Sequence, residues 1–289
     1  MILILTHSND ELVNMVMPLF AGRTEVFRFN LDRWREYSWN ISPQGYEIEN
    51  RAGEVCSESG VKSVWVHDMK FAPERVDMPL GGNAETWNRE AVLKTCRAIC
   101  ELAAECGKLV FAAQSLRVAW SPLRQLRAAS AWFAIPQTEV LYRCAPAIPK
   151  PVLSKSLCSG WAYTSAINKT ARIEPDMVNI DDQWYLQQEV EADEQLCVYC
   201  IAGKLLAFRC SLKTSNRYSA CSLGEADATA VRELVDHAGL EFAVIKLLRK
   251  KRKSVFLEWS ELPGVLCWKT QVAAKSVLQA IADAVLLKN

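Results

Sequence analysis

Five consecutive cations, Arg249-Lys250-Lys251-Arg252-Lys253, form the one concentrated block of charge in the sequence. Such a block is either a solvated hairpin turn between two strands or a patch that attracts an acidic peptide or a phosphate-rich partner. No nucleic-acid recognition motif accompanies it, so a nucleic-acid partner is not expected. His7, His67 and His237 are the only histidines, and none stands at a catalytic spacing from a nucleophile or carboxylate. His67-Asp68, at the end of an apolar run, is the best placed for a polar site, although structural hydrogen bonding is the preferred reading. The single CxxC, Cys197 to Cys200, lies in LCVYCIAG, a strand pattern that sends residues three apart to opposite faces. Two thiols so placed do not grip one metal, and buried small hydrophobes are the expected role. The sequence contains no GxxxxGK[ST], GxSxG, HExxH or GxGxxG, which excludes the NTPases, hydrolases, zincins and dinucleotide enzymes that those motifs mark.

The chain that must position these groups has 289 residues, half of them apolar, enough for one large domain or two ordinary ones. Lys plus Arg (34) against Asp plus Glu (33) leaves a net charge of +1, so any charge-driven partner depends on a local patch. The start, MILILTHSNDE, has no basic region and too short an apolar run for a signal peptide, and no later stretch is long and apolar enough to span a bilayer. A soluble, cytoplasmic protein is expected, with no membrane partner. Eleven cysteines, an odd number without framework spacing, fit the thiols of a reducing compartment. Ten tryptophans place some indoles at loops or edges, among them Trp34, Trp39, Trp184 and Trp268, though most indoles pack into cores.

Met1 to Leu5 reads as a buried strand, Thr6 to Asp10 as a polar turn with a helix cap, Glu11 to Phe20 as a helix and Glu25 to Phe29 as a second strand. That is a βαβ opening. Ser42-Pro43-Gln44-Gly45 turns a hairpin between Tyr37–Ile41 and Tyr46–Ile48, Val61–Val66 is a further strand, and Asn83–Cys106 is a long helix. Near residue 118 the character changes. Ser121–Phe133 reads as a helix, Glu139–Tyr142 and Val152–Lys155 as strands, and Ser156-Leu157-Cys158-Ser159-Gly160 as a small-residue loop. Strands follow at Trp184–Val190, Gln195–Ala202 and Lys204–Cys210, then the helix Ala226–Ala238 stopped by Gly239, the strands Phe242–Leu248 and Ser254–Trp259, and the helix Gln271–Leu287. The first half is therefore α/β and the second α+β.

In this order, ILILTHSND with EVFRFNLDRW, SVWVHD, QLRAASAWFAIPQTEV, PVLSKSLCSG, QQEV, GLEFAVIKL and FLEW give the chain a resemblance to ATP-grasp peptide maturases. The nearest group is the microviridin-type graspetide ligases, whose ligase half is similar to ribosomal S6 modification enzymes. The resemblance implies an ATP-grasp fold: a pre-ATP-grasp α/β domain over residues 1–118 and an ATP-grasp domain of two α+β lobes over 119–289. It also implies an ATP-dependent carboxylate ligase that activates a side-chain carboxylate of a ribosomally made peptide as an acyl phosphate, closing ester or amide cross-links in RiPP biosynthesis. The implied cofactors are ATP and Mg2+. The implied partners are a precursor peptide, a related ligase subunit and a second copy of the chain.

Carried over by position, Lys155 matches the phosphate-reaching lysine, and Ser156, Ser159 and Gly160 belong to the matching loop over the phosphates. Gln188 and Glu189 match the hinge that meets adenine and ribose, and Glu258 matches a metal-holding glutamate. The departures are as specific. Lys246 stands where the family has a metal-binding aspartate, Ser260 where it has asparagine, Cys197 where it has arginine, and Pro122 near its helix-start lysine. Glu261 is a candidate substitute carboxylate, although a solvated turn residue is the preferred reading. With two of three expected metal ligands replaced, the departures count against bound Mg2+. They open an alternative: a catalytically degenerate protein, a pseudoenzyme, that binds a peptide or an active relative without phosphoryl transfer.

Overall fold

The computed structural model describes residues 1–67, 82–111, 120–142, 152–155, 171–173, 183–212, 218–260 and 271–287. The chain forms two compact units, Met1–Val118 with Val277–Asn289, and Ala119–Ser276. In the first, the apolar run at the start becomes β1 (Ile2–Thr6), all five residues buried. Parallel pairing on both edges explains why it shows no polar alternation. The short helix α1 (Glu11–Val16), capped by the Asp10 carboxylate, and a 3-10 turn lead to β2 (Val26–Asn30), which lies parallel to β1. A 3-10 segment at Leu31–Glu36 leads into a three-stranded antiparallel sheet of β3 (Tyr37–Ser42), β4 (Gly45–Asn50) and β5 (Val55–Ser57). Next come β6 (Ser63–Val66), α2 (Gly82–Glu105) and β7 (Leu109–Val110). The parallel sheet runs β2-β1-β6-β7. One core binds the two sheets to α2, including Phe27, Phe29, Leu31, Tyr46, Ile48, Val64 and Ile99.

The second unit holds α3 (Pro122–Ala129) and two antiparallel sheets. The smaller sheet contains β8 (Thr138–Tyr142), β9 (Val152–Lys155), β10 (Ala171–Ile173) and β11 (Gln183–Gln188), in the order β10-β9-β11-β8. The larger holds β12 (Glu194–Ile201), β13 (Lys204–Ser211), β14 (Ser219–Cys221), β15 (Phe242–Lys250) and β16 (Lys253–Ser260), in the order β14-β13-β12-β15-β16. Between β14 and β15 runs α4 (Glu225–Ala238), which ends on Gly239 at φ +63, a left-handed cap that only glycine adopts without steric cost. Val231, Leu234, Val235 and Ala238 of α4 pack with Leu126, Ala129 and Phe133 onto one face of the large sheet, on Leu196, Val198, Ala243, Ile245, Leu247, Phe256 and Trp259. The last helix, α5 (Gln271–Leu287), returns to the first unit from Val277 onward. No described helix is long and apolar enough to cross a membrane.

Several element ends differ from the sequence reading for definite reasons. The helix expected over Ser121–Phe133 stops at Ala129, because the backbone then turns so that Ala134 pairs with β16 at Val255. Strand β15 runs two residues past Leu248, since Arg249 and Lys250 pair with Ser254 and Lys253 and leave only Lys251 and Arg252 in the turn. Three short strands, β5, β10 and β14, carry no periodic signal of their own. They form by pairing with longer neighbours.

Candidate functional site

The face of the large sheet away from α4 carries the residues at issue. From the turn at Lys251-Arg252, strands β15 and β16 pair Lys250 with Lys253, Arg249 with Ser254, Leu248 with Val255 and Leu247 with Phe256. A regular ladder would continue with Lys246 opposite Leu257 and send Glu258 to the other face. Instead the register shifts between Lys246 and Leu247, a β-bulge that sets Lys246 directly opposite Glu258. The same bulge lets Phe256 and Trp259, three apart, both enter the helix-side core, with ring centroids 6.0 Å apart. As an edge strand, β16 has outer backbone groups satisfied by α3 and by the turn at Ala134: Trp259 N–H donates to Gln125 Oε1 at 2.9 Å and Phe256 N–H to Ala134 O at 2.9 Å. The bulge is therefore locked from both sides.

Lys246 Nζ donates to Glu258 Oε1 at 2.7 Å, and the two side chains are only 11% and 18% exposed. On the other side of Lys246 its register partner is Cys197, itself paired with Phe208. Cys197 is buried, with Gln195, Tyr199, Phe208 and Val244 on the same face. Ser260 pairs with Val244, one step along that face from Glu258. The CxxC divides as its spacing requires, with Cys200 packed into the helix-side core. Burial pushes the Cys200 thiol up to about 11 and those of Cys96 and Cys100 up to about 12, so these three are neutral thiols.

The donors here do not fit a divalent magnesium ion. Mg2+ needs near-octahedral oxygen ligands at about 2.1 Å, and the Glu258 oxygen that would serve already holds an ammonium at 2.7 Å. A dication brought to that oxygen would stand a few ångströms from the Lys246 charge, a repulsion on the order of several kcal/mol even at an effective dielectric near 20. Among the described residues no group of three or more His, Cys, Asp or Glu side chains could hold a metal.

The other expected residues fall on two sheets. Lys155 is the last residue of β9, in register with Tyr185 of β11. Gln188 ends β11, its N–H bonded to Gln137 O at 2.8 Å, and both Gln188 and Glu189 are exposed. The preceding residue, Gln187, is buried and donates to the Thr138 hydroxyl at 3.3 Å. Ser156, Ser159, Gly160, Asp68 and Glu261 lie outside the described residues. Pro122 occupies the first turn of α3, whose start is capped by the Ser121 hydroxyl. Of the basic run, Arg249 pairs with Glu194 at 3.2 Å and Asp227 at 2.9 Å, and Lys250 with Glu191, while Lys251, Arg252 and Lys253 are exposed at the turn.

A second polar cluster sits at the carboxyl ends of the parallel strands in the first unit. His67, immediately after β6, meets Asp10 at 2.5 Å between Nδ1 and Oδ2, and the Thr6 hydroxyl donates to the same carboxylate. Arg28 of β2 donates to Asn14 Oδ1 at 2.6 Å and to the His7 and Ser8 carbonyls, and Asp32 accepts from the Ser8 N–H at 2.8 Å and from its hydroxyl. Only the histidines were visible as candidates in the sequence. The available signal was a histidine immediately after β1 and another immediately after β6, in a sheet whose ligands gather at carboxyl ends. His237 is structural, set between the rings of Trp120 and Trp132 at 6.4 and 5.4 Å.

Burial would raise the Asp10 carboxyl, but the hydrogen bond and charge of His67, the Thr6 hydroxyl and the Val13 N–H together hold it below its ordinary value. The stabilisation from such a depressed group is complete above the unfolded pKa, near pH 4, and is lost as pH falls through the folded value. Asp10→Asn is expected to cost roughly 1 to 2 kcal/mol at neutral pH and to flatten the acid limb of the stability profile below about pH 4. Urea unfolding at several pH values checks this; an unchanged acid limb would contradict it.

No protein-family model matches the chain, and no curated protein sequence does. The solved structures show its fold, which is that of the ATP-grasp ligases. The macrocyclase MdnC of Microcystis aeruginosa, bound with precursor peptide MdnA, superposes with a TM-score of 0.75 at 20% identity, covering 99% of this chain and 99% of that one. A RiPP-associated ATP-grasp ligase of Chryseobacterium gregarium, in complex with ADP and a leader and core peptide, gives 0.73 at 15% identity over 100% and 97%. The ligase PsnB, complexed with a minimal precursor, Mg and ADP, gives 0.75 at 14% identity over 99% and 97%.

Proposed function

We propose that this chain binds a ribosomally made precursor peptide on an ATP-grasp ligase scaffold without carrying out metal-dependent phosphoryl transfer. The observation that carries the reading is the Lys246–Glu258 ion pair. Metal-assisted phosphoryl transfer needs dications to neutralise charge developing on the phosphoryl oxygens. Here the carboxylate that would hold one is already neutralised from within the same hairpin. The peptide partner is supported by the three neighbours described above, each solved with a precursor or with leader and core peptides. A catalytically competent relative or a second copy of the chain completes the expected assembly.

Calorimetric titration with a precursor peptide of the leader-and-core kind that the neighbours bind tests it. The expected result is binding that is unchanged when magnesium is replaced by a chelator, with no loss of water from the peptide on incubation with ATP. A peptide that fails to bind, or binds only in the presence of Mg2+ and ATP, would overturn the reading.

A second reading, the ATP-dependent carboxylate ligase acting through an acyl phosphate, is favoured by one observation. Lys155, the residue matched to the phosphate-reaching lysine, ends β9 beside β11, the strand that leads into Gln188 and Glu189. It demands an ATP-dependent mass loss of one water per cross-link, abolished in Lys155→Ala.

A further inference from the structure

The run of cations from Arg249 to Lys253 divides in the structure into two that are engaged and three that are not. Arg249 is paired with Glu194 and Asp227, and Lys250 with Glu191, so both fix the base of the β15–β16 hairpin. Lys251, Arg252 and Lys253 are exposed at its tip and have no carboxylate partner among the described residues. On a chain whose net charge is only +1, three uncompensated cations on one turn make a local field of a single sign. The turn is also built in a way that its own stability does not favour. Lys251 holds φ +56, a left-handed conformation that strains a residue with a Cβ and that two-residue hairpin turns normally give to glycine or asparagine. Lys250 and Lys253 stand directly opposite each other across the ladder, and like charges so placed repel. Glycine at 251 and a neutral side chain at 253 would remove both costs, so the hairpin itself does not require these cations. Local rules broken without a structural gain mark places where the chain does something besides fold.

The surroundings set the kind and size of the partner. Glu191, its side chain 87% exposed, stands beside Lys250, and Glu194 and Asp227 flank Arg249. The positive field therefore ends at the tip and gives way to paired and acidic ground at the base of the hairpin. A continuous phosphate backbone laid on the tip would run on from three cations onto those carboxylates. A segment with two or three carboxylates ends where the cations end. Arg252 suits it further, since a guanidinium takes a carboxylate in bidentate fashion while the two ammonium groups serve as point charges beside it.

We infer that the tip of the β15–β16 hairpin, Lys251, Arg252 and Lys253, docks a short acidic segment of the bound peptide. The inference rests on the peptide-binding reading above, and its test separates the two. The full chain is titrated against a fluorescein-labelled hexaglutamate peptide, with hexaglutamine and a thymidine hexanucleotide in parallel, and binding is read by anisotropy. Two variants accompany it: the tip variant Lys251→Gly, Arg252→Gln, Lys253→Thr, and a charge-matched control, Arg51→Gln, Lys62→Gln, Lys94→Gln, at exposed positions of the first unit. The tip variant is expected to weaken hexaglutamate binding about tenfold or more, because three exposed ion pairs each contribute a few-fold, and the control to leave it within about twofold. Raising the salt from about 50 to about 500 mM should abolish binding by the parent chain. The tip variant should unfold at an unchanged or higher temperature, which a structural role for the cations would not allow. Equal weakening by both variants, no hexaglutamate binding, tighter binding of the hexanucleotide, or a lowered unfolding temperature of the tip variant would overturn the inference. If a precursor peptide binds the parent and the tip variant alike, only this inference fails; if no precursor peptide binds, the reading above fails and the hexaglutamate titration still decides the tip.

Discussion

Replacing Lys246 by methionine is expected to destabilise the second unit by roughly 2 to 3 kcal/mol, toward the lower end for a broken buried pair because both side chains keep some exposure. Most of that cost is not the lost attraction. It is the Glu258 carboxylate left in a mostly buried position with no counter-charge. Glu258→Gln, which strands the ammonium instead, should cost a similar amount. The double variant Lys246→Met, Glu258→Leu should return to within about 1 kcal/mol of the parent, since two matched apolar groups carry no desolvation penalty. Chemical denaturation of the four proteins forms the cycle. Single variants that each lose less than about 0.5 kcal/mol would show that the pair is a loose surface contact and would remove the physical basis of the functional reading.

Phe256→Ala should have the largest effect on stability in this region, about 3 to 5 kcal/mol, the usual cost of emptying a core aromatic site. Phe256 is fully buried, with its ring centroid 6.3 Å from that of Phe133, tilted, and 6.0 Å from that of Trp259, edge to face. It is also the first residue on the far side of the register shift. A cavity there removes the reason for Phe256 and Trp259 to share a face, so the bulge should relax and the Lys246–Glu258 pair weaken with it. Adding Lys246→Met to Phe256→Ala should therefore cost well under the roughly 2 to 3 kcal/mol expected in the parent, a non-additivity of neighbours. Strict additivity would show that the bulge persists without Phe256.

That register shift marks the limit of what the chain order reveals. The fold class was legible because β1 is an unbroken apolar run, the hairpin turns are polar, and Gly239 stops α4. Each is a local signal with a local cause. The residues opposed across β15 and β16 are not local in that sense. Counting back from Lys251-Arg252 predicts Lys246 opposite Leu257, and only the packing of Phe256 and Trp259 on one side inserts the extra residue that brings Glu258 round. The resemblance placed Lys246 where an aspartate is expected but could not say that its ammonium would meet Glu258 directly. The cluster at the carboxyl ends of the first sheet was hidden differently. His7, Asp10, Arg28, Asn30 and His67 span three strands, and what joins them is the parallel register of β1 with β2 and β6.

The central claim is that Lys246 has taken the place of a metal ion as the counter-charge of Glu258. Its most direct test is calorimetric titration of the purified chain with manganese and with magnesium, each with and without ATP, beside Lys246→Asp. The account predicts that neither ion produces saturable heat with the parent chain under either condition, while Lys246→Asp, which offers two facing carboxylates in the same register, gains a divalent-cation site. Magnesium-dependent nucleotide binding by the parent chain would contradict it and favour the ligase reading.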